Sequence, residues 1–332
     1  DGMRLGVVPS GTPGTEDYAR VDGTMLVLVM QHGFPYGGNN IWHAAEGVFP
    51  TYESLVQLRE AGGSSRELVD NLQAILAWQL DKKSWDFVTQ VAKLLGPQGF
   101  KTPLFLRDDL RSRGICARTV IRVAQTPKML TGWFSNPRLR LDFRERALSA
   151  LGMKEPAPRY CKAIVVLRDP PQGIANPDVV YEQLRPYFAA WGWGLTVWRP
   201  SEWRRAHGDT PITFRDQVSM FHDAALSIMV HGAENTNLVW MPEGAQNVIV
   251  VKCGDTGELT AGMTRRMDFA SRRAYPANCT IPLPPDGKGH PSYVINEGSL
   301  YYMDVERDLL PALADAMAEL EATGGACRAK RP

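Results

Sequence analysis

IMVHGAENTNLVWMPEGAQNVIVV, residues 228–251, reads as a strand, a junction, a short helix, a turn and a second strand. The mainly apolar run LSIMV, 226–230, reads as a strand. His231-Gly232-Ala233 and a polar Glu-Asn-Thr-Asn follow, then a short helix near 235–241, a Pro-Glu-Gly turn, and a second strand over 247–251. In open α/β sheets, ligands bind outside the carboxyl ends of strands, where the chain turns into helices. The small pair Gly232-Ala233 lets a ligand approach the backbone. The helix that follows offers unpaired N–H groups at its positive end, a place suited to phosphate. Thr236 and Asn237 add hydroxyl and amide donors, and His231 can donate to a phosphate or sugar oxygen. The plainer alternative is a polar turn capped by Asn235, with His231 packed beside it.

Outward from this stretch, the second half of the chain alternates regularly. Strands are expected at 161–167, 194–198, 226–230 and 247–251. Between them, Asn176 before Pro177 caps a helix to about 190 with Pro186 as a kink, and Thr213 with Asp216 caps one through 223. A terminal helix over 304–322 carries Leu310, Leu313, Met317 and Leu320 as an apolar seam. The first half suggests strands at 24–30, 102–106 and 118–124. A helix is expected over 65–80 from the capping box Ser64/Glu67 and the spacing of Leu68, Leu72, Ile75 and Leu76, and another over 141–152. The two prolines of 154–159 mark a linker. Strands alternating with helices predict an α/β fold with doubly wound parallel sheets.

The 332 residues suffice for two domains, and 37 basic against 36 acidic residues leave a net charge of +1, which favours neither nucleic acid nor an anionic membrane as partner. No segment is apolar over the length of a membrane span. Five cysteines without CxxC spacing give no zinc framework and allow at most two disulfides. The chain begins at Asp1, so a removed signal or anchor is compatible with it, and Asn278-Cys279-Thr280 matches a glycosylation acceptor.

His231-Gly232-Ala233, Thr236-Asn237-Leu238, Pro242 and Gly244-Ala245 resemble the signature of glycosyltransferase family 61. Thr213-Phe214, Gln217 and 221–224 resemble the helix before it. Arg168-Asp169 with Asn176 resembles the family's arginine-containing loop, and Cys116, Phe143-Arg144 and Leu151-Gly152 resemble parts of its first half. The resemblance spans roughly 35–300 and is dense over 161–251. It implies a GT-B-like arrangement of two Rossmann-like domains facing a cleft. Residues 1–155 would be the acceptor domain and 156–303 the nucleotide-sugar domain, with 304–332 a C-terminal helix packing back on the first. It implies an inverting transferase using a UDP-sugar, with UDP-xylose or UDP-N-acetylglucosamine favoured, on a glycan or glycoprotein acceptor. The alternative is a catalytically inactive glycan- or nucleotide-binding relative. A nicotinamide enzyme is disfavoured, because no strand is followed by GxGxxG. Glu234-Asn235 departs from the small or apolar residues usual there, and no glutamate ends the strand after Gly244-Ala245.

On this reading the donor site comprises Arg168, His231, Gly232, Ala233, Asn235, Thr236 and Asn237. Arg168 suits the diphosphate as a permanent, forked cation. In YGGNNIWHAAEGVFP (36–50), Asn39 or Asn40 can cap a helix and touch the acceptor. His43 and Glu46 then lie three apart on one face, an acid and an imidazole suited to taking the acceptor's proton. Aligned on Glu46 and Pro50, Trp42 occupies the family's His position; aligned on His43, the acid comes one residue early. His222-Asp223 reads as structural, His32-Gly33 as a cleft lining, and Trp191, Trp193, Trp198 and Trp203 as a core cluster. No metal and no cofactor is expected, since no DxD motif appears and Arg168 with a helix end would take the metal's place. The compartment would be the Golgi or ER lumen for a eukaryotic chain that lost an anchor, and the cytoplasm for a bacterial or viral one.

Overall fold

The computed structural model describes residues 18–29, 41–78, 85–96, 104–106, 114–123, 133–154, 161–168, 174–208, 210, 212–251, 264, 267, 271–276 and 302–323. The chain divides into two compact units, Asp1–Thr126 and Pro127–Pro332. Each carries its own parallel sheet, so the α/β expectation holds for both.

In the first unit the order is β1 (Ala19–Val29), α1 (Ile41–Glu60), α2 (Gly63–Asp70), β2 (Leu72–Trp78), α3 (Trp85–Lys93), β3 (Leu104–Leu106) and β4 (Ile115–Val123). The strands lie parallel in the order β3-β2-β1-β4, with Leu26, Val27 and Leu28 of the central β1 fully buried. The helix expected over 65–80 is corrected here. It stops at Asp70, Asn71 makes the turn, and Leu72, Ala74, Ile75 and Leu76 are buried residues of β2. A strand enclosed on both faces loses its alternation, so its apolar residues also fall at helical spacing. Nor does the Ser64/Glu67 box form, because Gly62, and not Ser64, stands at the N-cap position.

In the second unit α4 (Pro137–Ala150) precedes β5 (Lys162–Val166), α5 (Pro177–Ala190), β6 (Gly194–Trp198), α6 (Pro200–His207), α7 (Phe214–Phe221) and β7 (Leu226–Val230). A 3-10 helix (Ala233–Trp240), β8 (Gln246–Val250), β9 (Ser271–Ala274), a π-helical turn (Val305–Leu309) and α8 (Leu310–Ala322) complete it. The sheet is parallel throughout, in the order β6-β5-β7-β8-β9. Every residue of β7 and β8 is buried, so the sheet is covered on both faces. One face packs Val165, Ile228 and Val248 against Val180, Leu184 and Phe188 of α5 and Leu313, Ala316 and Leu320 of α8. Truncating one such leucine to alanine costs about 2–5 kcal/mol.

Three expectations change here. The second unit starts at Pro127 rather than 156, because α4, with its Asn136 cap accepting from Leu139 N–H at 3.2 Å, packs within it. The C-terminal helix, expected to pack on the first domain, packs on the second unit's own sheet, with Leu313, Met317 and Leu320 in that core. Asn176 precedes α5 as expected but does not cap it. Its amide donates to Met303 O at 2.9 Å and accepts from Met303 N–H at 3.0 Å, which ties the C-terminal segment to this loop. The Thr213/Asp216 capping box forms as read. The four tryptophans do not make one cluster: Trp191 and Trp193 pack on Phe188, while Trp203 stacks on His207.

Cys161 is disulfide-bonded and Cys116 is free. No helix among the described residues is long and apolar enough to cross a membrane. Asn278 and most of the expected linker lie outside the described residues.

Candidate functional site

Within the second unit β5 comes first in the chain yet sits beside β7, with β6 on its other side. The direction of winding therefore reverses between β5 and β7, and a crevice at the carboxyl ends of those two strands is where such sheets hold ligands. Arg168 stands just past the end of β5, where Leu167 N–H still donates to Trp198 O at 3.0 Å. His231 stands just past β7, where its N–H adds a further rung to Val250 O at 3.1 Å. The topology thus brings together two candidates far apart in sequence.

Between them runs Gly232. Its backbone is extended (φ 171°), a conformation open to any residue, so the need for glycine is spatial. A Cβ there would lie 2.7 Å from Arg168 Nη1 and 2.9 Å from Glu234 Oε2. The guanidinium lies across the glycine, and Arg168 Nε is 3.3 Å from Glu234 Oε1, with the two side chains 18% and 17% exposed. Glu234 therefore turns toward the arginine.

The 3-10 helix begins at Ala233, two residues earlier than expected, and Asn235 is not its cap. Asn235 is fully buried, and its amide donates to Val230 O at 3.2 Å, fastening the helix to the end of β7. Asn237 accepts from Trp240 Nε1 at 3.2 Å. His231, Gly232, Ala233 and Glu234 are half-buried, while Asn235, Thr236 and Asn237 are buried behind them. Glu234 Oε2, Asn235 Oδ1 and Thr236 Oγ1 are buried without a hydrogen-bond partner. Orphaned polar atoms of this kind cost about 1–3 kcal/mol each, and here they fall in three consecutive residues.

Long 3-10 helices are uncommon, and this one is braced at its far end. Arg140 of α4, fully buried, donates to the carbonyls of Val239, Met241 and Pro242. Arg144, one turn on, donates from Nε to Trp240 O and from Nη2 to His222 O, both at 2.8 Å. Carbonyls at a helix end lack intrahelical partners, and cations there also oppose the dipole. Phe143, between the two arginines, stacks on Trp240 at 6.0 Å, and Phe214 meets the same ring edge-on at 5.4 Å. Sequence reading missed this brace, because a hydrophobic-pattern search counts arginines at i and i+4 as a solvent face. His222 and Asp223 are structural as expected: His222 Nδ1 lies 2.9 Å from Ser219 O, and Asp223 pairs with Lys162 at 2.5 Å.

In the first unit Asn39, Asn40 and His32 lie outside the described residues. His43 and Glu46 belong to the first turns of α1, as the three-residue spacing required. Pro50 does not end that helix but lies inside it. Having no N–H, it cannot bond the carbonyl of Glu46, four residues back. Thr51 Oγ1 donates to Gly47 O at 2.7 Å in the same turn. Glu53 is a further acid that sequence reading passed over. It is buried, lies two turns beyond Glu46, and accepts from Gln57 Nε2 at 3.2 Å.

A comparison with curated proteins finds no match. Against family models, the one described as Glycosyltransferase 61 matches residues 25–249, well over half of the chain, from β1 through β8. That span takes in α1, the Arg168 position and the whole His231–Trp240 segment, so the residues that carried the resemblance lie inside the match. The chain belongs to glycosyltransferase family 61, and is therefore a glycosyltransferase, an enzyme that moves a sugar from a donor to a glycan acceptor.

Proposed function

We propose that this protein is an inverting glycosyltransferase that takes its sugar from a UDP-sugar, with UDP-xylose or UDP-N-acetylglucosamine as donor, and passes it to a glycan or glycoprotein. The observation that carries the reading is the meeting of Arg168 with the His231–Glu234 segment where the sheet's winding reverses. On this reading the donor's diphosphate lies over Gly232-Ala233, against the backbone N–H groups that open the 3-10 helix. Arg168 and His231 stabilise the charge that develops as the sugar–phosphate bond breaks. Asn235, Thr236 and Asn237 shape the segment from behind.

Inversion requires a single displacement, in which the acceptor oxygen attacks the anomeric carbon from the side opposite the leaving diphosphate. One base removes the acceptor's proton. Glu46 is that base, with His43 one turn-face away to assist it and Asn39 and Asn40 to hold the acceptor. The two units take the GT-B roles, acceptor on the first and donor on the second. Fixed cation and helix terminus make transfer independent of a divalent ion.

The testing experiment is a transfer and donor-hydrolysis screen across nucleotide sugars, run with and without EDTA, beside thermal melting with UDP. UDP is expected to raise the melting temperature, since it binds the native state alone. Arg168→Ala should remove most of that rise. An equal response in both proteins overturns the diphosphate role of Arg168, and loss of transfer in EDTA with rescue by manganese overturns the metal-free mechanism.

A further inference from the structure

If Arg168 merely awaited a diphosphate, no carboxylate should stand beside it. Glu234 does, at 3.3 Å, and the two side chains are more than four-fifths buried. The pair is incomplete on the acid's side: Oε1 meets Arg168 Nε, while Oε2 is buried with no hydrogen-bond partner. A carboxylate that retires to such a place for structural reasons would normally satisfy both oxygens. The contact also depends on Gly232, whose missing side chain leaves room for Nη1 and Oε2 together. A diphosphate oxygen and this carboxylate make the same demand on a guanidinium, an in-plane, charge-assisted hydrogen bond. Both cannot be served well at once, because two anions on one cation repel each other at close range.

We infer that Glu234 is an internal competitor for Arg168. Its carboxylate holds the guanidinium while the donor site is empty, yields it to the nucleotide diphosphate, and takes it back as the product leaves. Glu234 thereby sets the affinity for UDP below what Arg168 would give alone, and shortens the time the spent nucleotide occupies the enzyme. Product release limits turnover in many enzymes, so the exchange bears on rate as well as affinity. The inference rests on the reading of the β5–β7 edge as the diphosphate site.

Titration calorimetry at low salt, with UDP and separately with inorganic pyrophosphate, decides it. The full chain is compared with Glu234→Gln, Glu234→Ala, Arg168→Ala and the double variant Arg168→Ala/Glu234→Gln. Glu234→Gln is expected to bind both ligands about tenfold more tightly, the size of one charge-assisted hydrogen bond from Arg168 freed for the ligand. Glu234→Ala should follow it, so failure of either variant to fold leaves the other to report. In the Arg168→Ala background the gain should vanish, since nothing is left to compete for. Unchanged or weaker binding in the glutamate variants, with Arg168→Ala still weakened, overturns the competitor role alone and makes Glu234 a support for Arg168. If Arg168→Ala binds as well as the natural chain, the diphosphate site and the inference fall together.

Discussion

The carboxyl edges of the two parallel sheets are built differently. In the second unit the candidate groups sit on backbone pinned from several directions: His231 on the β8 ladder, Asn235 on Val230, and the 3-10 helix on Arg140 and Arg144. In the first unit the candidate groups ride on the opening turns of α1, in a helix that carries a proline four residues after Glu46. A braced edge suits a task that needs fixed dipoles, such as holding a leaving phosphate. A helix end carrying an acid suits a task that needs one proton moved. On the proposed function the difference separates binding from chemistry, and substitutions can test the separation.

The largest effect is expected at Glu46. Glu46→Gln keeps shape and removes basicity, so transfer should fall by about 10²–10⁴, the usual worth of a general base, while UDP affinity stays as it was. Steady-state rates beside calorimetry check this. A parallel loss of UDP affinity would break the division of labour between the two edges.

Next comes the brace. Arg140→Met removes the donors that serve the carbonyls of Val239, Met241 and Pro242 and strands them in the core. Stability should fall by about 3 kcal/mol, within the cost of breaking a buried charged network. Urea unfolding gives the number, and UDP affinity should fall with it because the 3-10 helix loses its fixed end. Normal UDP binding by the folded variant would show that the brace serves stability alone.

Gly232→Val tests the edge at its tightest point. The added carbons meet Arg168 Nη1 and Glu234 Oε2, the far ends of flexible side chains, so they can swing aside. Melting temperature should then stay within a few degrees, whereas UDP affinity should fall by about thirtyfold or more, as a misplaced guanidinium and a blocked backbone approach combine. Retained affinity would move the phosphate away from Gly232.

How much of this was legible follows from what each signal measures. β6 and β7 were read to the residue, and β5 and β8 to within one, because helices with proline or capping boxes separate them. β2 was read as helix, since a central strand buried on both faces loses its period. By pattern alone, Arg168 and the His231 segment are legible only as two separate loops. The family resemblance joins them in one donor site; local pattern could not, because their meeting depends on β5 lying beside β7, a matter of sheet order. Arg140 and Arg144 were hidden for a related reason. An arginine is read as exposed until the carbonyls that receive it are known, and those belong to a distant segment.

The smallest effect sharpens the comparison most finely, at Asn176. By sequence it caps α5; by geometry its amide exchanges two hydrogen bonds with the backbone of Met303. Asn176→Ala should cost about 1–2 kcal/mol on either account, so a stability measurement cannot separate them. Hydrogen exchange can. Loss of a cap would expose the first amides of α5, near Val180, whose N–H already bonds Asn176 O through the backbone and needs no side chain. Loss of the tether would instead free the start of the π-helical turn and α8, so protection should drop from Val305 to Leu313 while α5 keeps its own. UDP affinity should hardly change, because Arg168 is oriented by its pairing with Glu234 over Gly232. Fraying confined to α5 would restore the capping role that the sequence first suggested.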